Sequence, residues 1–376
     1  MKIRLFYQSL LSEYNHASAN FLRGIVSELL YRGHDVKVFE PLRSECLESL
    51  ISHYGDAPIK EFKSFYKNRL NSYIYEQEKL NLEEALHDAD LVIVHEKSDP
   101  KLISEIGNHR QSNDYKLLFH DSTYRRLVGN EGSFKYSLNN YDGLLAGCNS
   151  IKETYLKNGW IQKAWTFHEA IDSRVFYPYY SKEKEGEIVC IGNWVNGERA
   201  SELEKYLIDP VNNLRIRTSI YGVGYPEDFL EKCKSCNVSY KSWVANYRIP
   251  NVLTRYSLAM HIPRKPYYES VPGKPATGIF EAMACGVPVI SSPWEDTDGL
   301  FNAESDYVLS DERAMESAIR NLLKDRAMAM EIARNAMRTI NKKHTCWHRV
   351  NLLGNICREL GLKVEEDSNG RKQEAA

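Results

Sequence analysis

The stretch 279-IFEAMACGVPVISSPW-294 places one carboxylate, Glu281, in an otherwise apolar helical turn, then passes through Gly286 and Pro288 into a second apolar run. Glycine just past the last helical position is a common way to end a helix, because it adopts the left-handed conformation without a Cβ penalty. The run 287-VPVISS-292 is apolar on successive residues rather than on alternate ones. Such a strand is covered on both faces, the condition of a parallel sheet between two helix layers. The stretch therefore reads as helix, hinge and buried parallel strand.

The same rhythm extends in both directions. Upstream, 2-KIRLFY-7, 35-DVKVFE-40, 90-DLVIVH-95, 115-YKLLFH-120 and 143-GLLAGC-148 read as strands, and 18-SANFLRGIVSELLYRG-33 and 149-NSIKETYLKNG-159 as helices. The segment 172-DSRVFYPYYSKEKEGE-187, with Pro178 and a run of charges, reads as a linker. Beyond it, strands 187-EIVCIG-192, 214-LRIRTSIYG-222, 238-VSYKSWV-244, 258-LAMHIP-263 and 306-DYVLS-310 alternate with helices 198-ERASELEKYLI-208, 248-RIPNVLTRYS-257 and 277-TGIFEAMACG-286. Helices over 311–325, 326–344 and 345–360 follow, and the tail 364–376 has no apolar face and is expected to be disordered. Strand and helix in alternation is the doubly wound α/β pattern. Two such domains are expected, 1–175 and 176–343.

Composition agrees. A length of 376 residues suits two domains, and 43% apolar residues supply a sizeable core for each. The net charge of −2, with cations spread along the chain, argues against a nucleic-acid binder, which would show a basic stripe. No apolar run reaches the roughly 18 residues that span a bilayer, and the N-terminus reads as a strand rather than a signal peptide. Eight scattered cysteines suggest a reduced, cytoplasmic protein, with Cys233 and Cys236 as unpaired thiols at a helix end. The basic-aromatic segment 60-KEFKSFYKNRLNSYIYEQEKL-80 invites a helix on the inner membrane face; packing of its aromatics on its own domain is the preferred reading.

Ligands of parallel sheets bind beyond the carboxyl ends of the strands. After 258-LAMHIP-263 come Arg264, Lys265 and the Gly/Pro-rich 267-YYESVPGKPATG-278 with Lys274, leading to a helix whose first N–H groups are expected to be free. Three cations at one helix start suit a diphosphate. Glu281 would repel phosphate, but it can accept hydrogen bonds from the two vicinal hydroxyls of a ribose. Phosphates and a ribose together describe a nucleoside diphosphate.

These residues also carry a resemblance. The segment 272-PGKPATGIFEAMACGVPVISSPWEDTDGLF-301 resembles the C-terminal signature of GT-B glycosyltransferases, closest to the CgeB/YkvP-like (spore maturation protein) branch. So do 16-HASANFLRGIVSELLYRGHDVKVFEP-41, 167-FHEAIDSRVFYP-178, 191-IGNWVNGERASELE-204 and 344-HTCWHRVNLL-353, so the likeness covers nearly the whole chain. It implies a GT-B architecture, two Rossmann-like domains facing across a cleft, with a final helix at 344–363 crossing back to the first domain. In the donor domain it implies Glu281 on the ribose and Arg199 facing the diphosphate, Arg264, Lys265 and Lys274 as further phosphate contacts, and Trp243 stacking on the base, with a buried core aromatic the equal alternative. Asn193 and Thr277 complete that nucleotide-sugar site. In the first domain, His120 and Asp121 would lie near the acceptor hydroxyl, His120 as a base or sugar contact, with a structural His at a strand end the equal alternative. His16 is a second acceptor-side candidate.

One departure from the family stands out. Many retaining relatives carry a first glutamate where this chain has Gly273, eight positions before Glu281. Asp296-Thr297-Asp298 imitates a metal-binding DxD motif, yet it belongs to another strand context, and no metal is expected. The expected activity is transfer of a sugar from a UDP- or GDP-linked donor, with no other cofactor, to a carbohydrate, lipid-linked or small-molecule acceptor. An epimerase or hydrolase on the same fold, or a non-catalytic nucleotide- or glycan-binding scaffold, are the alternatives.

Overall fold

A computed structural model describes residues 1–364 except 9, 13, 15, 17, 123–135, 180, 182 and the side chains of 266–268. Most of the expected tail, 365–376, lies outside the described residues. The chain divides into two units: Met1–Ser12, Phe21–Glu169 and Cys346–Ala376 form the first, Glu13–Asn20 and Ala170–Thr345 the second.

In the first unit the chain runs β1 (Lys2–Phe6), α1 (Ala19–Tyr31), β2 (Asp35–Pro41), α2 (Glu45–Tyr54), α3 (Ala57–Phe65), β3 (Ser72–Tyr75), α4 (Leu82–Ala85), β4 (Leu91–His95), α5 (Pro100–Arg110), β5 (Lys116–Asp121), β6 (Gly143–Ala146), α6 (Asn149–Lys157) and β7 (Ala164–Thr166). The strands form one parallel sheet of order β3-β2-β1-β4-β5-β6-β7. All five residues of β4 are buried, as a doubly covered strand requires. Strand order reverses between β1 and β4, so their carboxyl ends diverge into a crevice.

The second unit runs β8 (Ile188–Ile191), α7 (Ala200–Leu203), a π turn at Glu204–Ile208, α8 (Asp209–Leu214), β9 (Thr218–Tyr221), α9 (Glu227–Ser235), β10 (Val238–Tyr240), α10 (Ile249–Leu253), β11 (Leu258–His261), α11 (Lys265–Ser270), α12 (Gly278–Ala284), β12 (Val289–Ser291), β13 (Val308–Leu309), α13 (Met315–Lys324) and α14 (Arg326–Lys343). The last helix, α15 (Cys346–Glu359), belongs to the first unit. The second sheet is also parallel, of order β10-β9-β8-β11-β12-β13, and reverses between β8 and β11. Its core is a cluster of Ile188, Leu203, Ile220, Leu258, Ile290 and Ile319.

Several elements differ from the sequence reading. The 60–80 segment is not one helix: α3 stops at Phe65, Lys67 and Asn68 take positive φ (50° and 55°), and the chain restarts as the edge strand β3. Its Phe62 is buried beneath the Arg23 guanidinium, 4.6 Å from the ring centroid, whereas Lys60 is exposed and pairs with Asp56. Leu214 ends a helix instead of opening a strand, because Arg215 adopts the left-handed conformation. Strand β10 stops at Tyr240, and Ser242 (φ 59°) leads Trp243 into a loop. The run after β11 begins with the short α11, and β7 has no counterpart in the sequence reading.

Candidate active site

At the switch point of the second sheet, β8 leaves through Gly192 and returns at Arg199, which opens α7. A Cβ on Gly192 would collide with Nη1 of Arg199, so the missing side chain makes room for the guanidinium. Arg199 is 6% exposed. Its side chain makes no ion pair or hydrogen bond among the described residues, and its Nε is buried without an acceptor. A buried cation without a counter-charge costs several kcal/mol, which an arriving anion offsets. The guanidinium lines a cavity of about 30 Å³ together with His261, Ala276, Gly278 and Glu281.

His261, at the end of the neighbouring β11, is neutral. Burial, then the charge of Arg199, hold its pKa down at about 3. Its Nε2 accepts the Ala276 N–H at 3.3 Å, so Nδ1 carries the proton and donates to Ser291 Oγ at 2.8 Å. Ser291 passes the bond on to the Ser292 carbonyl. An uncharged imidazole thus fixes the entry to α12 without adding a second cation beside Arg199.

Glu281 is 4% exposed, one turn into α12. Its Oε1 accepts a 2.7 Å hydrogen bond from Asn20, a residue that groups with this unit. The expectation of free N–H groups at this helix start is corrected: Ile279 and Phe280 donate to the carbonyls of Ala276 and Thr277 in tight turns. The three expected cations also do not stand equal. Arg264 is bound to Glu198 at 2.5 Å, and Lys265 is exposed, 3.5 Å from Glu269. Lys274 is buried, directly after Gly273, and Thr277 is buried at the head of α12.

Of the remaining donor candidates, Asn193 uses Oδ1 to accept the Val223 N–H at 3.0 Å, tying the β8 loop to the β9 loop. Trp243 is half-buried after the edge strand, outside the lining of the Arg199–Glu281 cavity. Asp296 accepts the N–H groups of Leu300 and Phe301 at 3.0 and 2.8 Å, while Asp298 lies beside Gly273, so the two acids serve different partners. No group of three or more His, Cys, Asp or Glu suited to a metal ion occurs among the described residues.

The first unit gathers a second cluster at the ends of β1, β4 and β5. His120 is buried, its ring 5.1 Å from that of His95 and 6.5 Å from that of Tyr7. His95 Nε2 lies 2.8 Å from Glu96 Oε2 and 3.3 Å from Ser122 Oγ. Burial and the Glu96 charge push the Tyr7 phenol far above its ordinary pKa. Asp121 accepts the Tyr155 hydroxyl at 2.6 Å, which anchors α6 to the strand end. His16 is buried and groups with the second unit. The sequence reading passed over His95, Glu96, His261 and Asn20; a polar pair closing an apolar strand, 91-LVIVHE-96, was the available signal for the first two.

Residues 199–354 match a family model described as glycosyl transferase-like. No curated protein matches the chain in sequence. Among solved structures, an alpha-glucosyltransferase in complex with UDP-glucose and DNA containing an abasic site superimposes with a TM-score of 0.71 at 14% identity, covering 95% of this chain and 99% of that one. Anabaena HepE in complex with UDP gives 0.65 at 14%, covering 96% and 100%. Sucrose-phosphate synthase from Thermosynechococcus elongatus gives 0.64 at 15%, covering 96% and 99%. At these identities the likeness concerns the fold. The chain thus has the GT-B fold of two Rossmann-like units, and its residues 199–354 match the glycosyl transferase-like family model.

Proposed function

We propose that the chain is a glycosyltransferase that moves a sugar from a UDP- or GDP-linked donor to an acceptor hydroxyl. The observation that carries this reading is Arg199: a buried guanidinium with no ion pair among the described residues, lining the same cavity as the Glu281 carboxylate. A cation and a carboxylate at one switch point suit the two ends of a nucleoside diphosphate, phosphate on the first and ribose hydroxyls on the second. As the glycosidic bond breaks, negative charge grows on the leaving diphosphate. Arg199 stabilises that charge without reorganising. Asn20, which already donates to Glu281, would be exchanged for a ribose hydroxyl or would share the carboxylate with it.

UDP in the solved structures of HepE and the alpha-glucosyltransferase favours UDP as the first nucleotide to try. The strings around Glu281 favour the CgeB/YkvP-like branch, Trp243 and Asn193 as base-side contacts, and Arg264, Lys265 and Thr277 as outer contacts. His120 and Asp121, with His16, take the acceptor side in this reading; the acceptor is a glycan, a lipid-linked saccharide or a small molecule. Reaction without a metal and a cytoplasmic location complete the proposal. No described helix is long and apolar enough to cross a membrane.

The test is a thermal-shift screen against UDP, GDP, dTDP, ADP and CMP and their sugar conjugates, with and without EDTA. The expected outcome is stabilisation by UDP or GDP that EDTA leaves unchanged, and release of that nucleotide from its sugar conjugate when an acceptor is supplied. No shift with any nucleotide would overturn the reading in favour of a scaffold. Nucleotide release at the same rate without acceptor would point to a hydrolase.

A further inference from the structure

The Gly273–Lys274 turn presses against the loop that follows β12. Gly273 is buried at φ 86°, and its N–H donates to the Glu295 carbonyl at 3.0 Å. A Cβ at this position would lie 2.5 Å from Thr297 Oγ1 and 2.8 Å from Asp298 Oδ1. The opposing loop is built to hold still: Asp296 accepts two backbone N–H groups, and Gly299 (φ 64°) closes the turn with its own N–H on the Asp296 carbonyl. Strands β11 and β12 are adjacent and parallel, so both loops leave the same edge of the sheet as the Arg199–Glu281 cavity. The half-exposed Asp298 carboxylate therefore stands directly beside the backbone that carries Lys274.

We propose that Asp298 is the specificity residue for the donor sugar: it accepts hydrogen bonds from the hydroxyls of a neutral hexose and rejects an anionic hexuronate. This rests on the nucleotide-sugar reading above and extends it to the sugar class. In that reading Arg199 takes the diphosphate, and a carboxylate beside the Gly273–Lys274 backbone has no use for phosphate. Sugar hydroxyls are donors that match it, and bonds to an ionised acceptor are the strong ones. A uronate carboxylate brought to the same place meets a like charge. Gly273 is needed because any side chain there would push Thr297 and Asp298 away.

Isothermal titration of the full chain with UDP, GDP, UDP-glucose and UDP-glucuronate tests this, using Asp298→Asn, Asp298→Glu and wild type. The expected result is unchanged UDP affinity in all three and UDP-glucose binding weakened roughly tenfold in Asp298→Asn. The preference for glucose over glucuronate should collapse in the same variant, and Asp298→Glu should recover part of it. Equal losses for UDP and UDP-glucose would make Asp298 a loop support and overturn the proposal, as would an unaltered preference. If wild type binds neither UDP nor GDP, the underlying nucleotide reading fails, an outcome the wild-type titration alone separates from failure of Asp298. Should Asp298→Asn not fold, Gly273→Ala, which displaces the same carboxylate, must show the same selective loss.

Discussion

Arg199 sets stability against binding. Its guanidinium is 6% exposed and lacks a carboxylate among the described residues, so the unliganded protein carries the desolvation cost of a charge it does not need for folding. Arg199→Met keeps the stem and removes that charge. The expected outcome is an unliganded protein more stable by about 1 kcal/mol, roughly 2–4 °C in Tm, that binds UDP about a hundredfold more weakly. A lower Tm would mean that the guanidinium supports the fold. His261 gives a pH signature of the same site. Its folded pKa of about 3 lies below the roughly 6.5 of an unfolded chain, so between these values the unfolded chain takes up a proton that the folded one refuses. Its contribution is intact above pH 6.5 and is lost progressively as pH falls toward 3, amounting to about 2 kcal/mol between pH 7 and 5. His261→Asn should flatten that limb in urea titrations at the two pH values. An unchanged slope would assign the proton uptake to another group.

Helix α15 is held by one side chain as much as by its apolar face. Arg349 donates from Nε to the His168 carbonyl at 2.7 Å and from Nη2 to the Glu169 carbonyl at 3.3 Å, and burial lowers its pKa to about 10, still charged at neutral pH. Arg349→Met would remove both charged hydrogen bonds, and a loss of about 2–3 kcal/mol in denaturant unfolding is expected. Arg349→Lys, with one compact ammonium in place of the fork, should recover only part. A cost below about 0.5 kcal/mol would show that Val350, Leu353 and Ile356 hold the helix alone. This helix was legible in the sequence, as were β1, β4, β8 and α12, because continuous apolar runs and a closing glycine are local signals. The losses came where tertiary context decides. Strand β7 is three half-buried residues that exist only as a partner to β6, and β3 is an edge strand whose preceding turn needs Lys67 and Asn68 at positive φ, a demand neither residue type announces. The site divides in the same way. Glu281 was visible because a charge amid apolar residues is a local anomaly; Arg199, among the polar residues 196-NGERASE-202, entered only through the resemblance. The pairing of Arg264 with Glu198, 66 residues apart, and the Asn20 bond to Glu281 are contacts that no local pattern encodes.

At the scale of the molecule, the main body of the second unit is one continuous segment, entered at Ala170 and left at Thr345, to which Glu13–Asn20 adds a short stretch. Entry and exit meet: Ile171 forms a parallel bridge with Thr345, and its N–H donates to the His344 carbonyl at 2.9 Å. His344 in turn contacts the Leu300 carbonyl at 3.0 Å through Nε2 and stands 5.6 Å from the Phe280 ring, so the junction is anchored in the core beneath α12. A segment whose ends are already joined loses little when the flanking chain is removed, since no long loop must be closed again. Residues 170–345 expressed alone should therefore unfold in a single cooperative transition and bind UDP. Arg199, Glu281, His261 and Lys274 all lie within that span, so the binding chemistry travels with it. The segment lacks Glu13–Asn20, and with Asn20 goes the 2.7 Å hydrogen bond to the buried Glu281 carboxylate. Loss of that bond destabilises the empty site, and a ribose hydroxyl can supply a donor in its place, so the isolated unit should be less stable than in the full chain while binding UDP within about tenfold of it. Calorimetry of the isolated segment and of the full chain, each with and without UDP, measures both quantities. A segment that folds but does not bind would place part of the nucleotide site among residues 13–20. One that does not fold would show that the joined ends are a consequence of the first unit and not a property of the second.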